Sequence, residues 1–234
     1  MSQPQTPAAV VLLSGGLDST VLLHWVARRL NRAPLSVLSF DYGQKHAIEL
    51  TAARWQCARL PQVIKHQVLP LGFFAELLGG ASALVDGGPP VPALAELEEA
   101  VRQQPPTYVP NRNMVLLSLA AAFAEACGAS TIFYGAQAQD EYGYWDCTQT
   151  FIETINRTLA LNRRHPVQVE APFASWRKSE IVRLGTSLGV DFSHTWSCYR
   201  GETRPCGVCP TCCERATAFR EAGETDPLEP TPSA

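Results

Sequence analysis

Two clusters of residues carry chemistry by their types and spacing. The first is Ser14-Gly15-Gly16-Leu17-Asp18-Ser19, which follows the apolar run Val10–Leu13. A buried strand that ends in small residues and runs into a helix presents backbone N–H groups where about half a positive charge collects. Such a turn cradles phosphate. No Lys follows at the spacing of the loops that cleave a γ-phosphate, so that class is excluded. Ser14, Gly15, Gly16 and Ser19 supply backbone and hydroxyl donors. Asp18 is a helix cap by position and a Mg²⁺ ligand by chemistry.

The second cluster is Cys198-x₇-Cys206-x₂-Cys209-x₂-Cys212. The chain has eight cysteines, and five of them crowd into residues 198–213. A disulfide framework would be spread through a short secreted chain, so the clustering points to a metal. Four thiolates at this spacing close a tetrahedral zinc site and leave no open position, which makes the site structural. An iron–sulfur cluster is the rival, since four-cysteine sites hold both. Cys213 is the surplus thiol, because choosing it over Cys212 spoils the C-x₂-C spacing.

These clusters need a scaffold. The chain's 234 residues, with 46% apolar and 18% charged, suit one domain with an appendage. A net charge of −3 gives no electrostatic footprint for non-specific nucleic-acid or membrane binding. The N-terminus has neither the basic start nor the apolar core of a signal peptide, and no run reaches membrane-span length. The expectation is a soluble, cytoplasmic protein without a membrane partner.

Strands are predicted at Ala8–Leu13, Leu35–Phe40, Val63–Leu69, Thr131–Gly135 and Val167–Ala171. Helices are predicted at Asp18–Leu30, Lys45–Leu60, Asn111–Cys127, Cys147–Leu161 and Lys178–Leu188, with another near Cys212–Ala222. Strand–helix alternation implies an α/β fold, an open and doubly wound five-stranded parallel sheet. Its domain spans 8–190. Residues 191–222 form a small C-terminal metal-binding segment, and 225–234 read as a disordered Pro-rich tail. Residues 70–107 break the rhythm with Gly79-Gly80, Gly87-Gly88-Pro89-Pro90 and Pro105-Pro106. They read as an irregular insertion, a lid or surface decoration, with a short helix at Glu96–Arg102.

Ligands on such a sheet bind beyond the carboxyl ends of the strands. Ser14–Ser19, Asp41–His46, Gly135–Asp146 and Ala171–Lys178 each begin at such an end and should open onto one crevice. Arg112 and Asn113 start a helix, where the guanidinium fork suits a carboxylate or phosphate; the plain alternative is a surface Arg at a cap. Lys178 would steady nucleotide phosphates or stand solvated on its helix. His46 would contact substrate or cap its own helix. Asp140, Tyr144 and Asp146 offer donors and acceptors to a purine-like edge. Cys147 has no feature that predicts a lowered pKa and reads as buried and structural, like Cys57 and Cys127. His24, His66, His165 and His194 lack metal spacing.

Ser14–Ser19 resembles the pyrophosphate loop of the PP-loop ATPases, which transfer AMP to a substrate oxygen. Four further motifs follow it in order: Asp41-Tyr42-Gly43-Gln44-Lys45-His46, Tyr108-Val109-Pro110-Asn111-Arg112-Asn113, Thr195-Trp196-Ser197-Cys198-Tyr199 and Cys206-Gly207-Val208-Cys209-Pro210-Thr211-Cys212. Together, over residues 8–222, they resemble the 7-cyano-7-deazaguanine synthases of the queuosine precursor pathway. The resemblance implies that ATP activates 7-carboxy-7-deazaguanine as an acyl adenylate, that ammonia displaces AMP, and that a second ATP converts the amide to the nitrile. It implies a loop of Leu13, Ser14, Gly15, Gly16, Leu17, Asp18, Ser19 and Thr20 for ATP. Substrate contacts would come from Gln44, His46, Arg112, Asn113, Asp140, Tyr144 and Asp146, with Asp18, Arg112 and Lys178 as the catalytic residues. One structural zinc on Cys198, Cys206, Cys209 and Cys212, Mg²⁺ with the ATP, and a homodimer complete the expectation. The family's Tyr-Pro-Asp-Cys loop reads Tyr144-Trp145-Asp146-Cys147 here, which adds a stacking surface at Trp145. The rival readings are another PP-loop enzyme, the same adenylating chemistry on a tRNA or protein acceptor, and a non-catalytic zinc-ribbon module.

Overall fold

A computed structural model describes residues 6–97, 104–138 and 143–229. Five strands form one parallel sheet: β1 (Ala9–Leu12), β2 (Leu35–Asp41), β3 (Val63–Pro70), β4 (Thr131–Phe133) and β5 (Gln168–Glu170). Their order is β3-β2-β1-β4-β5. The chain first winds outward from β1 through β2 to β3, then restarts on the other side of β1 with β4. The doubly wound expectation is met, and the switch point falls between β1 and β4.

Alternation along β1 divides the core. Ala9, Val11 and Leu13 face one side with Val21, Leu22, Ile181 and Phe219. Val10 and Leu12 face the other with Leu117, Ala120, Ile132 and Ile152. Burial on both faces is what parallel strands require. The first side is covered by α1 (Leu17–His24), α2 (Glu49–Ala58), α6 (Lys178–Ser187) and α7 (Pro210–Ala222). The second is covered by α4 (Arg112–Cys127) and α5 (Gln149–Leu159). The helix from Asp18 runs on to Arg29, but its last turn, Trp25–Arg29, is wound as a π-helix.

The described parts of residues 70–107 are more than surface decoration. They contain a helix, α3 (Gly72–Leu78), too short for its periodicity to register. Ala83, Leu84 and Val85 beyond it are buried in the main core. The Lys45 N–H donates to the Leu84 carbonyl at 2.9 Å, and the Lys45 ammonium donates to the carbonyls of Gly88 and Pro89 at 2.9 and 2.7 Å. A 3₁₀ turn occupies Leu94–Glu96, and most of the helix predicted at Glu96–Arg102 lies outside the described residues.

The C-terminal tail also differs for the part that is described. Asp226 is buried, and its two carboxylate oxygens accept from Arg215 Nε and Nη2 at 2.8 and 2.9 Å. Arg215 in turn donates to Thr195 Oγ1 and the Phe192 carbonyl. Residues 225–229 therefore staple α7 to the segment before the cysteines, and 230–234 lie outside the described residues. A Pro-rich composition hid one acidic anchor. Removing one partner strands a buried charge, so Asp226→Ala should destabilise the fold by about 3 kcal/mol in urea unfolding. Asp226→Asn should lose less, because it keeps an acceptor for the guanidinium.

Candidate active site

The crevice at the switch point is a cavity of ≈ 260 Å³. It receives the ends of β1, β2 and β4, the starts of α1, α4 and α6, and the cysteine segment. Its first wall is the turn between β1 and α1. Gly15 has φ +96°, and a Cβ there would lie 2.0 Å from the Glu49 carbonyl oxygen. Only glycine lets α2 dock this closely. Inside the turn Ser14 and Ser19 bridge hydroxyl to hydroxyl at 3.0 Å, and Gly16 N–H donates to Ser14 Oγ at 3.1 Å. The Gly15 carbonyl accepts from Trp196 N–H at 2.9 Å, which seats the cysteine segment on the loop.

Behind this turn lies a chain of charges. Lys178 Nζ is 3.0 Å from Glu214 Oε2 and 3.7 Å from Asp18 Oδ2. Lys178 is therefore not a solvated helix lysine, since it bridges the loop to α7. Burial pushes the Asp18 carboxyl above its usual range, Lys178 opposes this, and Glu214 adds to it. The 21% of the Asp18 side chain that is exposed borders the cavity. Among the described residues its Oδ1 has no hydrogen-bond partner, a disposition that suits a divalent cation riding on a triphosphate.

At the opposite end stands Arg112. Its Nη1 donates to the Tyr42 hydroxyl at 3.2 Å and its Nε to Asn113 Oδ1 at 3.1 Å. Among the described residues it makes no ion pair, so the cavity holds a buried guanidinium ready for an anionic ligand. His46 and Glu49 lie beside it, with His46 Nε2 3.6 Å from Glu49 Oε1. Burial, helped by Arg112, holds His46 down to about 3, and the imidazole is neutral. Burial pushes Glu49 up to about 8. Tyr134, Tyr144, Tyr199, Thr107 and Leu84 also line the cavity, the last two contributed by the 70–107 insertion.

Leu13, Ser14, Gly16, Leu17, Asp18, Ser19, His46, Arg112, Asn113, Tyr144 and Lys178 thus border one space. Gly15 and Thr20 lie outside the lining; Thr20 is fully buried beneath the loop. Gln44 and Asp146, expected at the substrate, also lie outside it. Gln44 donates to the Phe40 carbonyl and accepts from Tyr42 N–H, which shapes the turn after β2. Asp146 Oδ2 accepts from the Asn113 N–H at 3.3 Å and braces the start of α4. Asp140 lies outside the described residues. Cys147 does border the cavity, where Asn113 Nδ2 and the Tyr134 hydroxyl approach its sulfur at 3.4 Å. Trp145 does not; its indole N–H donates to the Tyr108 hydroxyl and its ring packs edge-on against Phe151. Glu49 and Glu214 are the residues that reading the sequence missed. Glu49 stands three residues after His46, and Glu214 follows the last cysteine pair, so only their neighbours in sequence hinted at them.

The four cysteines converge as their spacing implied. The sulfurs of Cys198, Cys206, Cys209 and Cys212 all lie within 4.8 Å of one another, and those of Cys206 and Cys212 are 4.0 Å apart. Thiolates about 2.3 Å from one tetrahedral ion would be nearly this close together. A cubane of four irons holds its thiolates much farther apart. Backbone N–H groups of Cys206 and Cys209 donate to the Cys198 and Cys206 sulfurs, and Gly207 takes the left-handed turn between them at φ +72°. Cys213 points instead toward the Gly207 carbonyl.

The family model described as "Queuosine biosynthesis protein QueC" matches residues 8–223. The chain belongs to the QueC family. A 7-cyano-7-deazaguanine synthase from Caldicellulosiruptor saccharolyticus is 43% identical to this QueC member over 221 residues, 94% of each chain. One from Methanoregula boonei is 41% identical over 221 residues, 94% of this chain and 98% of its own length. Among solved structures, the U34-tRNA thiolase NcsA from Methanococcus maripaludis with its 4Fe-4S cluster superposes with a TM-score of 0.51 at 14% identity. That match covers 93% of this chain and 66% of the thiolase, and the likeness is one of fold.

Glu49 gives this site a pH signature. Its folded-state pKa is raised from 4.5 to about 8, so the folded chain keeps a proton that the unfolded chain releases. Stability should fall as pH rises from about 5 to 8, by at most about 1.4 kcal/mol per unit. Thermal midpoints measured across this window should drop less for Glu49→Gln than for the parent chain.

Proposed function

We propose that the chain converts 7-carboxy-7-deazaguanine, ammonia and ATP into 7-cyano-7-deazaguanine, releasing AMP and pyrophosphate. The observation that carries this reading is one cavity with a phosphate turn and Lys178 at one end and, at the other, Arg112 with no ion pair among the described residues, in a chain of this family. A carboxylate does not accept an amine, because its leaving group would be oxide. Activation replaces that group with a phosphate ester. The substrate carboxylate attacks the α-phosphorus of ATP, and pyrophosphate leaves against the helix start at Ser14–Ser19 and the Lys178 ammonium. Arg112 holds the carboxylate in line. Asp18 would hold a Mg²⁺ ion, which would supply further positive charge to the phosphate oxygens. Tyr144, with its hydroxyl 2.6 Å from Thr107 Oγ1, borders the space for the deazapurine ring.

The four-cysteine cluster is read as one structural zinc. Its role is mechanical, because Cys209 caps the start of α7, the helix that carries Glu214 to Lys178 and Arg215 to Asp226. The same reading carries small-molecule rather than nucleic-acid partners, a homodimer and a cytoplasmic location. No described helix is long and apolar enough to cross a membrane.

Two measurements check these statements. With 7-carboxy-7-deazaguanine, ammonium, Mg²⁺ and ATP, mass spectrometry should find nitrile and AMP. Formation of ADP without AMP would sink the adenylation chemistry, and AMP formed only with added tRNA or protein would favour a macromolecular acceptor. Elemental analysis should find one zinc per chain. Cys206→Ser should lose that zinc and unfold at lower temperature, and a soluble, active, zinc-free variant would contradict the structural role.

A further inference from the structure

Among the described residues the activation steps leave one carboxyl that borders the cavity without a role, that of Glu49. Glu49 opens α2 with its side chain buried at the cavity wall and its own carbonyl packed under Gly15. Gln44 Nε2 donates to its Oε1 at 3.4 Å, and the neutral His46 ring stands 3.6 Å from the same oxygen. Tyr42 faces it from the end of β2 and Arg112 from the start of α4. From the cysteine segment, Tyr199 packs on the far side of His46, with ring centroids 5.4 Å apart, and Cys209 acts electrostatically on that ring. Among the described residues no Lys or Arg forms an ion pair with Glu49. A buried carboxyl in this setting takes up and releases a proton near neutral pH, as a general base must. Among the described residues the other acids that border the cavity are committed, since Asp18 and Glu214 share Lys178.

We propose that Glu49 is the base that takes protons from nitrogen in the amide- and nitrile-forming steps. The proposal rests on the function inferred above. Ammonium gives one proton to the Glu49 carboxylate and becomes ammonia. The ammonia lone pair forms the C–N bond at the acyl carbon, the C–O bond to AMP breaks, and its electron pair leaves on the phosphate oxygen. The new C–NH₃⁺ group loses a proton, and the product is the amide. In the second round the amide oxygen displaces pyrophosphate from ATP, leaving nitrogen as C=NH₂⁺. Loss of one proton gives the neutral imidate. Loss of the second turns its N–H electron pair into the third C–N bond and expels AMP. Glu49 releases each proton to solvent before taking the next.

The test separates activation from amination in Glu49→Gln. Carboxylate-dependent exchange of labelled pyrophosphate into ATP, without ammonium, should stay within about threefold of the parent chain. Amide formation from ammonium should fall about 100-fold, the usual size of a general-base contribution. Hydroxylamine, already unprotonated at neutral pH, should recover most of that loss. Equal losses in exchange and amination, or amination within threefold of the parent, would overturn the proposal. Absence of exchange in the parent chain would instead overturn the proposed function, and this step with it. Glu49→Asp, which keeps the carboxyl but draws it back from the cavity, should lose about tenfold in amination with exchange intact; parallel losses there also count against the assignment.

Discussion

The cavity depends on the missing side chain of Gly15. Its left-handed backbone turns the chain out of β1 and opens the room that the Glu49 carbonyl fills. That contact docks the start of α2 against the start of α1. The same peptide turns its carbonyl outward to Trp196 N–H, and so fixes where the cysteine segment lies. Three parts of the chain far apart in sequence therefore share one backbone position. A methyl group there would push α2 away and tilt the seat of the metal cluster together.

Charge is divided along the cavity. Lys178 lies between two carboxylates, whereas among the described residues Arg112 has hydroxyl and amide acceptors alone. An uncompensated guanidinium inside a protein is costly, and such a cost is recovered only when an anion arrives. Tyrosines 42, 134 and 199 set weakly polar rings around it, and burial strengthens its pull on a carboxylate. His46 stays neutral under that field. One end of the cavity thus selects an anion, while the other presents donors already arranged for phosphate.

The sheet, its order of winding and the phosphate turn were legible because their signals are local. Alternation along Ala9–Leu13, small residues at the turn and helix stops at glycines each lie within a few residues of what they determine. The metal set was legible because thiols at knuckle spacing have few other uses. Gln44 and Asp146 sat at the right strand ends but turned inward, since each had an unsatisfied backbone N–H to serve within hydrogen-bond reach. Glu49 and Glu214 owe their roles to partners on other elements, which no local pattern encodes. Asp226 was masked by prolines, and the core residues Ala83–Val85 by the glycines around them.

Arg215 and Asp226 add an order of events. Residues 6–190 contain all five strands and can leave the ribosome as a complete sheet. Glu214, the cysteine knuckles and the Asp226 anchor emerge only afterwards. Until the stretch from the cysteines to Asp226 is made, the crevice has its floor but lacks the wall that holds Lys178. The nascent sheet therefore offers phosphate a turn without the means to use it, and competence arrives with α7 and its anchor.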